Sequence, residues 1–191
     1  VAITHAMNTL GGSGLWDDRD GFYYDQIHMN GSSEKLRIRS LVGVIPLCAV
    51  EVLPLATIRN LEGFNRRFRW FLANEHDLAS HVTFAGEGDE AAALLAIPSR
   101  PQLERVLGYL LDEREFLSPF GIRSLSAVHR EQPFVFHAQG QEYRVDYTPA
   151  ESTTGMFGGN SNWRGPIWLP LNYLLIEALE RYGRFYGDEL K

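Results

Sequence analysis

The chain has 191 residues, 45% of them hydrophobic, with 18 Lys and Arg against 24 Asp and Glu for a net charge of −6. That apolar share excludes a disordered segment, and the length suffices to bury a core. The negative charge excludes a surface built to neutralise nucleic-acid phosphates, and no run of about 18 apolar residues is present to span a membrane. The single cysteine, Cys48, excludes an internal disulfide or a cysteine-rich zinc site, and within the apolar run VGVIPLCAVEVL it reads as a buried, inert thiol. No signal-peptide pattern opens the chain, and the single cysteine fits a cytoplasmic origin.

Taken in order, residues 1–10 read as the last turns of a helix, stopped by Gly11, Gly12 and Gly14. Residues 21–29 and 35–40 flank Asn30-Gly31, the pattern of a β-hairpin. Residues 42–53 are apolar on almost every face except Glu51 and predict a buried helix ended by Pro54. Residues 58–72 predict an amphipathic helix, with Leu61, Phe64, Phe68 and Phe71 on one side and Arg66, Arg67 and Arg69 on a solvated face. Ser99 and Gln102 form a capping box before a helix carrying Leu103, Val106, Leu107 and Leu110. Residues 134–136 and 143–145 predict a second hairpin around Gly140. Pro166 can start a last helix with an apolar stripe of Leu171, Leu174, Leu175, Ala178, Leu179 and Tyr182.

Helices, glycine-rich loops and short hairpins without βαβ alternation exclude a Rossmann fold or a parallel barrel. One internal echo stands out: Ile38-Arg39-Ser40-Leu41 recurs as Ile122-Arg123-Ser124-Leu125. A match of four residues is as compatible with chance as with a repeated architecture.

Phosphate-binding, dinucleotide, zinc-protease and nucleophile-elbow motifs are all missing, and the six histidines share no metal-ligand spacing on a helical face. What remains is three loops rich in Trp, Tyr, Asn, Asp, Glu and Arg, at residues 15–25, 118–126 and 146–168. Aromatic faces cover the C–H face of a pyranose, while Asn, Asp, Glu and Arg hydrogen-bond its hydroxyls and glycines let the backbone approach. Each feature also has a plain structural reading. Trp16, Tyr23, Tyr24 and Trp168 can be core, Asp17, Asp18 and Asp20 a solvated turn, and Asp146 and Glu151 structural hydrogen-bonders.

The run ESTTGMFGGNSNWRGPIWLPLNYLLIEALERYG resembles the signature near the C-terminal end of glycoside hydrolase family 63 catalytic domains, whose bacterial members are labelled mannosyl-oligosaccharide glucosidase-like. GLWDDRDGFYYD, RIRSLVGVIPL and SPFGIRSLS resemble earlier parts of the same domain, in the same order. The resemblance implies a mainly α fold, part of an (α/α)6 toroid of six helical hairpins with short β-hairpins and long loops at the active-site end. It implies hydrolysis of α-linked glucosides or mannosides with inversion, using one carboxylic acid and one carboxylate and no cofactor or metal. Carried over residue by residue, the general acid Asp and general base Glu both lie outside these 191 residues. Asn162, Trp163, Arg164 and Trp168 are then placed at the sugar pocket, Phe120, Gly121 and Ser124 on an adjacent loop, and Asp17 and Tyr24 on a hairpin walling one side.

The implied partners are an oligosaccharide or glycoside substrate and the remainder of the same polypeptide, with neither nucleic acid nor membrane. Two other readings stand beside it: a sugar-binding or regulatory toroid without the chemistry, and a structural helical domain whose aromatic loops are core. A twelve-helix toroid takes on the order of 300 residues, so the chain is expected to be about half of a catalytic domain, truncated at both ends. Expressed alone, it is expected to expose apolar helix faces and to aggregate by light scattering; a monomeric, cooperatively melting product would overturn that expectation.

Overall fold

The computed structural model describes residues 2–9, 14–29, 31–149 and 166–190, with the Glu189 side chain excepted. These residues form six α-helices and eleven strands, the strands making five small antiparallel sheets. No toroid of helical hairpins is formed, which corrects the mainly α expectation: the described chain is 44% helical and 28% strand. Much of the difference lies in stretches that pair with a near neighbour through a tight turn, so their hydrogen bonds are satisfied across a hairpin instead of along a helix.

The chain divides into two compact units: Val1–Gly14, Pro46–Leu103 and Leu175–Lys191 in the first, Leu15–Ile45 and Glu104–Leu174 in the second. In the first, helix α1 (Ala2–Thr9) donates from the Asn8 carboxamide to the Ile97 carbonyl at 2.9 Å. Its sheet has the order β5 (Val50–Pro54), β7 (Ala92–Ala96), β6 (Val82–Ala85), with Val50 opposite Ala96 and Val82 opposite Leu95. The buried helix predicted over 42–53 is not there. Leu41–Gly43 and Ile45–Cys48 are single 3-10 turns and β5 follows. Pro46 lacks the amide a helix interior needs, and the β-branched Val50 and Val52 suit a strand. Cys48 is half-buried, and burial pushes its thiol up, away from the reactive thiolate.

The single helix predicted over 58–72 is two, α2 (Leu55–Asn60) and α3 (Glu62–Asn74), broken at Leu61 where ψ is 77°. The periodicity is real, but α3 buries none of its residues, and Phe64 and Trp70 are exposed. A four-residue helix, α4 (His76–Ala79), follows. Helix α5 (Arg100–Leu110) buries Leu103, Val106 and Leu110 as the stripe predicted, and Gln102 Oε1 accepts from the Ser99 amide at 2.8 Å. Helix α6 (Leu169–Tyr186) starts three residues after Pro166 and buries Leu175, Ala178 and Tyr182; Leu174 is exposed.

The second unit holds the hairpins. Strands β1 (Trp16–Asp17) and β2 (Phe22–Tyr23) pair, as do β3 (Asp25–Met29) and β4 (Ser32–Leu36) around the predicted turn, in which Asn30 lies outside the described residues. Strands β8 (Leu117–Ser118) and β9 (Gly121–Ile122) form a minimal hairpin, and β10 (Phe134–Ala138) pairs with β11 (Gln141–Val145) as expected. The two Ile-Arg-Ser-Leu copies meet: Ser40 bridges Leu125 antiparallel, Leu41 N donates to Ser124 O at 2.9 Å, and Ser126 N donates to Arg39 O at 2.9 Å. Their apolar ends, Ile38 and Leu125, share a buried cluster with Val145 and Tyr147. A second cluster stacks Phe22 on Phe116 with Tyr109 edge-on.

Gly43 closes against that cluster. A Cβ there would stand 2.3 Å from Phe22 Cε1 and from the Tyr23 carbonyl oxygen. Since neither backbone nor a fully buried ring can retreat, Gly43→Ala is expected to destabilise the protein by about 2 kcal/mol, read as a lowered urea midpoint.

Candidate functional site

The site residues implied by the resemblance fall into two groups in the second unit. The first is the β8–β9 turn and the start of α6. Pro119 and Phe120 form the two-residue tip, and Ser118 Oγ locks it by accepting from Phe120 N at 3.2 Å and donating to Gly121 O at 2.7 Å. Phe120 is 86% exposed, an aromatic ring held out by backbone. Gly121 has φ +128°, a conformation side-chain-bearing residues rarely adopt, and an added Cβ would lie 2.9 Å from Asn172 Oδ1.

Half-buried Trp168 ends the approach to α6, and Arg123 bridges Ile167 antiparallel, so the turn and the helix start are joined. Ser124 is fully buried, its amide donating to Pro166 O at 3.0 Å. It belongs to the frame beneath the turn and presents no surface. Asn162, Trp163, Arg164 and Glu151 lie outside the described residues.

The second group surrounds Asp17 and Tyr24, both buried. Asp17 Oδ1 accepts from the Asp20 amide at 3.0 Å, and its carboxylate pairs with Arg37 at 2.9 Å and Lys35 at 3.7 Å. Burial alone would raise its pKa; the Asp20 amide and the two cations outweigh that and hold it below the ordinary value of 3.8. Arg37 also pairs with Asp20 at 2.7 Å, and the Tyr24 hydroxyl donates to Asp20 Oδ2 at 3.1 Å. Burial pushes the Tyr24 phenol above its usual range. Trp16, buried, donates its indole N–H to Asp18 Oδ1 at 2.7 Å, so the acidic triplet is a hydrogen-bonded turn. Asp146 pairs with Arg144 at 3.0 Å.

Together with Arg37, Arg39, Val128, His129, Gln132, Pro133 and Phe134, Asp20 and Tyr24 line a cleft of about 270 Å³. Its floor depends on residues that motif reading passed over. Arg39 and Ser126 both donate to the Glu115 carboxylate. His129 Nε2 accepts from the Arg39 amide at 3.0 Å while Nδ1 faces Gln132 O at 3.0 Å, which requires the neutral ring with its proton on Nδ1. Arg39 and Ser124 were marked in the sequence by the repeated Ile-Arg-Ser-Leu and by the family-like runs that contain it. Glu115 and His129 carry no pattern of their own. Each described carboxylate named around this cleft is engaged by a guanidinium or a hydroxyl. Carboxylates tied in that way are occupied as hydrogen-bond acceptors, and they give the cleft a polar lining.

The comparisons with known proteins place this geometry in a family. Residues 92–191 match the family described as the glycosyl hydrolase family 63 C-terminal domain. The chain is 45% identical over 179 residues to the uncharacterized protein YMR196W of Saccharomyces cerevisiae, covering 93% of this chain and 16% of that protein. It is 33% identical over 92 residues to the mannosyl-oligosaccharide glucosidase of Saccharomyces cerevisiae, covering 47% of this chain and 8% of that protein. Over 78 residues it is 33% identical to the probable mannosyl-oligosaccharide glucosidase of Schizosaccharomyces pombe, covering 41% of this chain and 7% of that protein. No solved structure matches. The chain belongs to glycosyl hydrolase family 63, and it spans 16% or less of the length of these relatives.

Both buried titrating groups make the fold acid-sensitive. Burial first, and then the Arg39 charge, lower the His129 pKa below 6.5 against the opposing pull of Gln132 O and Asp146. The folded ring binds its proton less readily than the unfolded one, so its contribution is complete above the ordinary imidazole value and is lost as pH falls through the folded value. The Asp17 contribution, complete above the ordinary carboxylate value, is lost further down. The urea midpoint is expected to be level above about pH 7 and to fall in two stages below it, and His129→Gln is expected to remove the first stage.

Proposed function

We propose that the polypeptide carrying this segment is an inverting glycoside hydrolase of α-linked glucosides or mannosides, and that the segment supplies its sugar-binding loops. The observation that carries this is the family match across the stretch containing Phe120, Gly121, Trp168 and the Asn162–Arg164 run. Phe120 on its rigid turn offers the apolar face a pyranose ring stacks on. Trp168 lies where the chain enters α6, Gly121 allows close approach, and Ser124 holds the turn from beneath; the family resemblance assigns Asn162, Trp163 and Arg164 to the same pocket. Asp17 and Tyr24 stiffen the hairpin that walls the cleft rather than touching the reacting bond.

Inversion needs an acid and a base roughly 6.5–9.5 Å apart with water between them. The depressed pKa of Asp17 and the ties of Asp20 and Glu115 to Arg37 and Arg39 support placing both groups outside these residues. The names of the two glucosidase relatives support a glucose-bearing mannosyl-oligosaccharide as substrate. A cytoplasmic location remains part of the same proposal.

The test is hydrolysis of α-glucoside and α-mannoside disaccharides by the whole polypeptide, with NMR of the first-formed anomer. The expected product is the β-anomer. Phe120→Ala is expected to raise KM roughly tenfold with little change in melting temperature, because the ring contacts sugar and almost nothing else.

A further inference from the structure

The strongest unassigned feature is a single side chain, Asn172, in the first turn of α6, facing the turn that bears Phe120. Strand β9 uses one edge to pair with β8, which leaves the other edge of Ile122 with an amide and a carbonyl to satisfy. Asn172 satisfies both: Ile122 N donates to Asn172 Oδ1 at 2.7 Å, and Asn172 Nδ2 donates to Ile122 O at 3.1 Å. The same Nδ2 reaches Trp168 O at 3.1 Å. One carboxamide therefore stands in for a missing third strand and ties the Phe120 turn to the Trp168 backbone. The space is closed around it, since a Cβ on Gly121 would be 2.9 Å from Oδ1 and 3.0 Å from Ile167 Cγ2. Asparagine is a weak helix former, so its place among Leu171, Tyr173 and Leu174 is not explained by helix propensity.

We propose that Asn172 is a positioning residue for sugar binding: it fixes the exposed ring of Phe120 relative to Trp168, so that the two present one surface to a pyranose. This rests on the carbohydrate reading above and adds to it the residue that sets the geometry. A ring carried on a two-residue turn without that tie would spend its time in orientations that do not stack, which weakens substrate binding without altering the chemical step.

Two measurements on the whole polypeptide test it. In hydrogen–deuterium exchange, Asn172→Ala is expected to speed exchange in peptides covering residues 117–126 and to leave those covering β10 and β11 unchanged. In kinetics with an α-linked glucose disaccharide, Asn172→Ala is expected to raise KM roughly tenfold with kcat within about twofold. Asn172→Asp, which can accept from Ile122 N but, when ionised, cannot donate to Ile122 O, should fall between the two. Because Asn172 acts through Phe120, adding Asn172→Ala to Phe120→Ala should cost little more than Phe120→Ala alone. Unchanged exchange, an unchanged KM, or fully additive losses would each overturn the role of Asn172. A wild type that hydrolyses no α-glycoside would instead sink the hydrolase reading, and the exchange measurement, which needs no substrate, would still decide whether Asn172 holds the turn.

Discussion

Glu115 is a carboxylate withdrawn almost wholly from water, and the second unit is arranged around the need to satisfy it. Arg39 reaches it from one copy of the repeated tetrapeptide, and Ser126 reaches it from just past the other. Arg123 donates to the backbone carbonyls of Glu113, Glu115 and Leu117, and Ala127 N donates to Glu115 O at 2.9 Å. Removing an ion of this kind from water costs several kcal/mol, recovered only if the partners are present and well aimed. Three stretches far apart in the chain, near residues 39, 115 and 126, are thus obliged to converge.

The functional surface inherits its rigidity from that convergence. The β8–β9 turn rises from the strand that follows Glu115, and the cleft beside Tyr24 opens between Arg37 and the segment that carries His129. Polar groups that would be mobile on a free loop are held by pairs whose partners are themselves buried or paired. For a ligand made mostly of hydroxyl groups this matters, because each hydrogen bond is modest and the sum survives only if little ordering remains to be done on binding.

Local chemistry was legible in the sequence, and non-local chemistry was not. The β3–β4 and β10–β11 hairpins follow from turn residues between alternating strands, and α5 from its cap and stripe. The run around Pro46 misled because apolar composition outweighed the one residue that bars a helix. The sheet joining β5, β7 and β6 left no mark: β5 lies some forty residues before its partner β7, and the strands share no motif. The expectation of a helical toroid came from resemblance, not from periodicity, and the described strands overturn it. The loops named as carbohydrate-binding were visible by composition. Of the residues beneath them, Arg39 and Ser124 fall in the repeated tetrapeptide and the family-like runs, Glu115 and His129 carry no pattern, and Asn172 was hidden as one polar residue in an apolar helix.

Gly121 and Asn172 illustrate a constraint of a historical kind. The glycine leaves room for the carboxamide, and the carboxamide makes any side chain at the glycine impossible to seat. Neither position can drift by itself: a larger residue at 121 collides before a smaller one at 172 has made space, and a smaller one at 172 abandons two backbone groups first. The two positions are therefore expected to tolerate change only together, since either change alone loses the carboxamide's hold on Ile122.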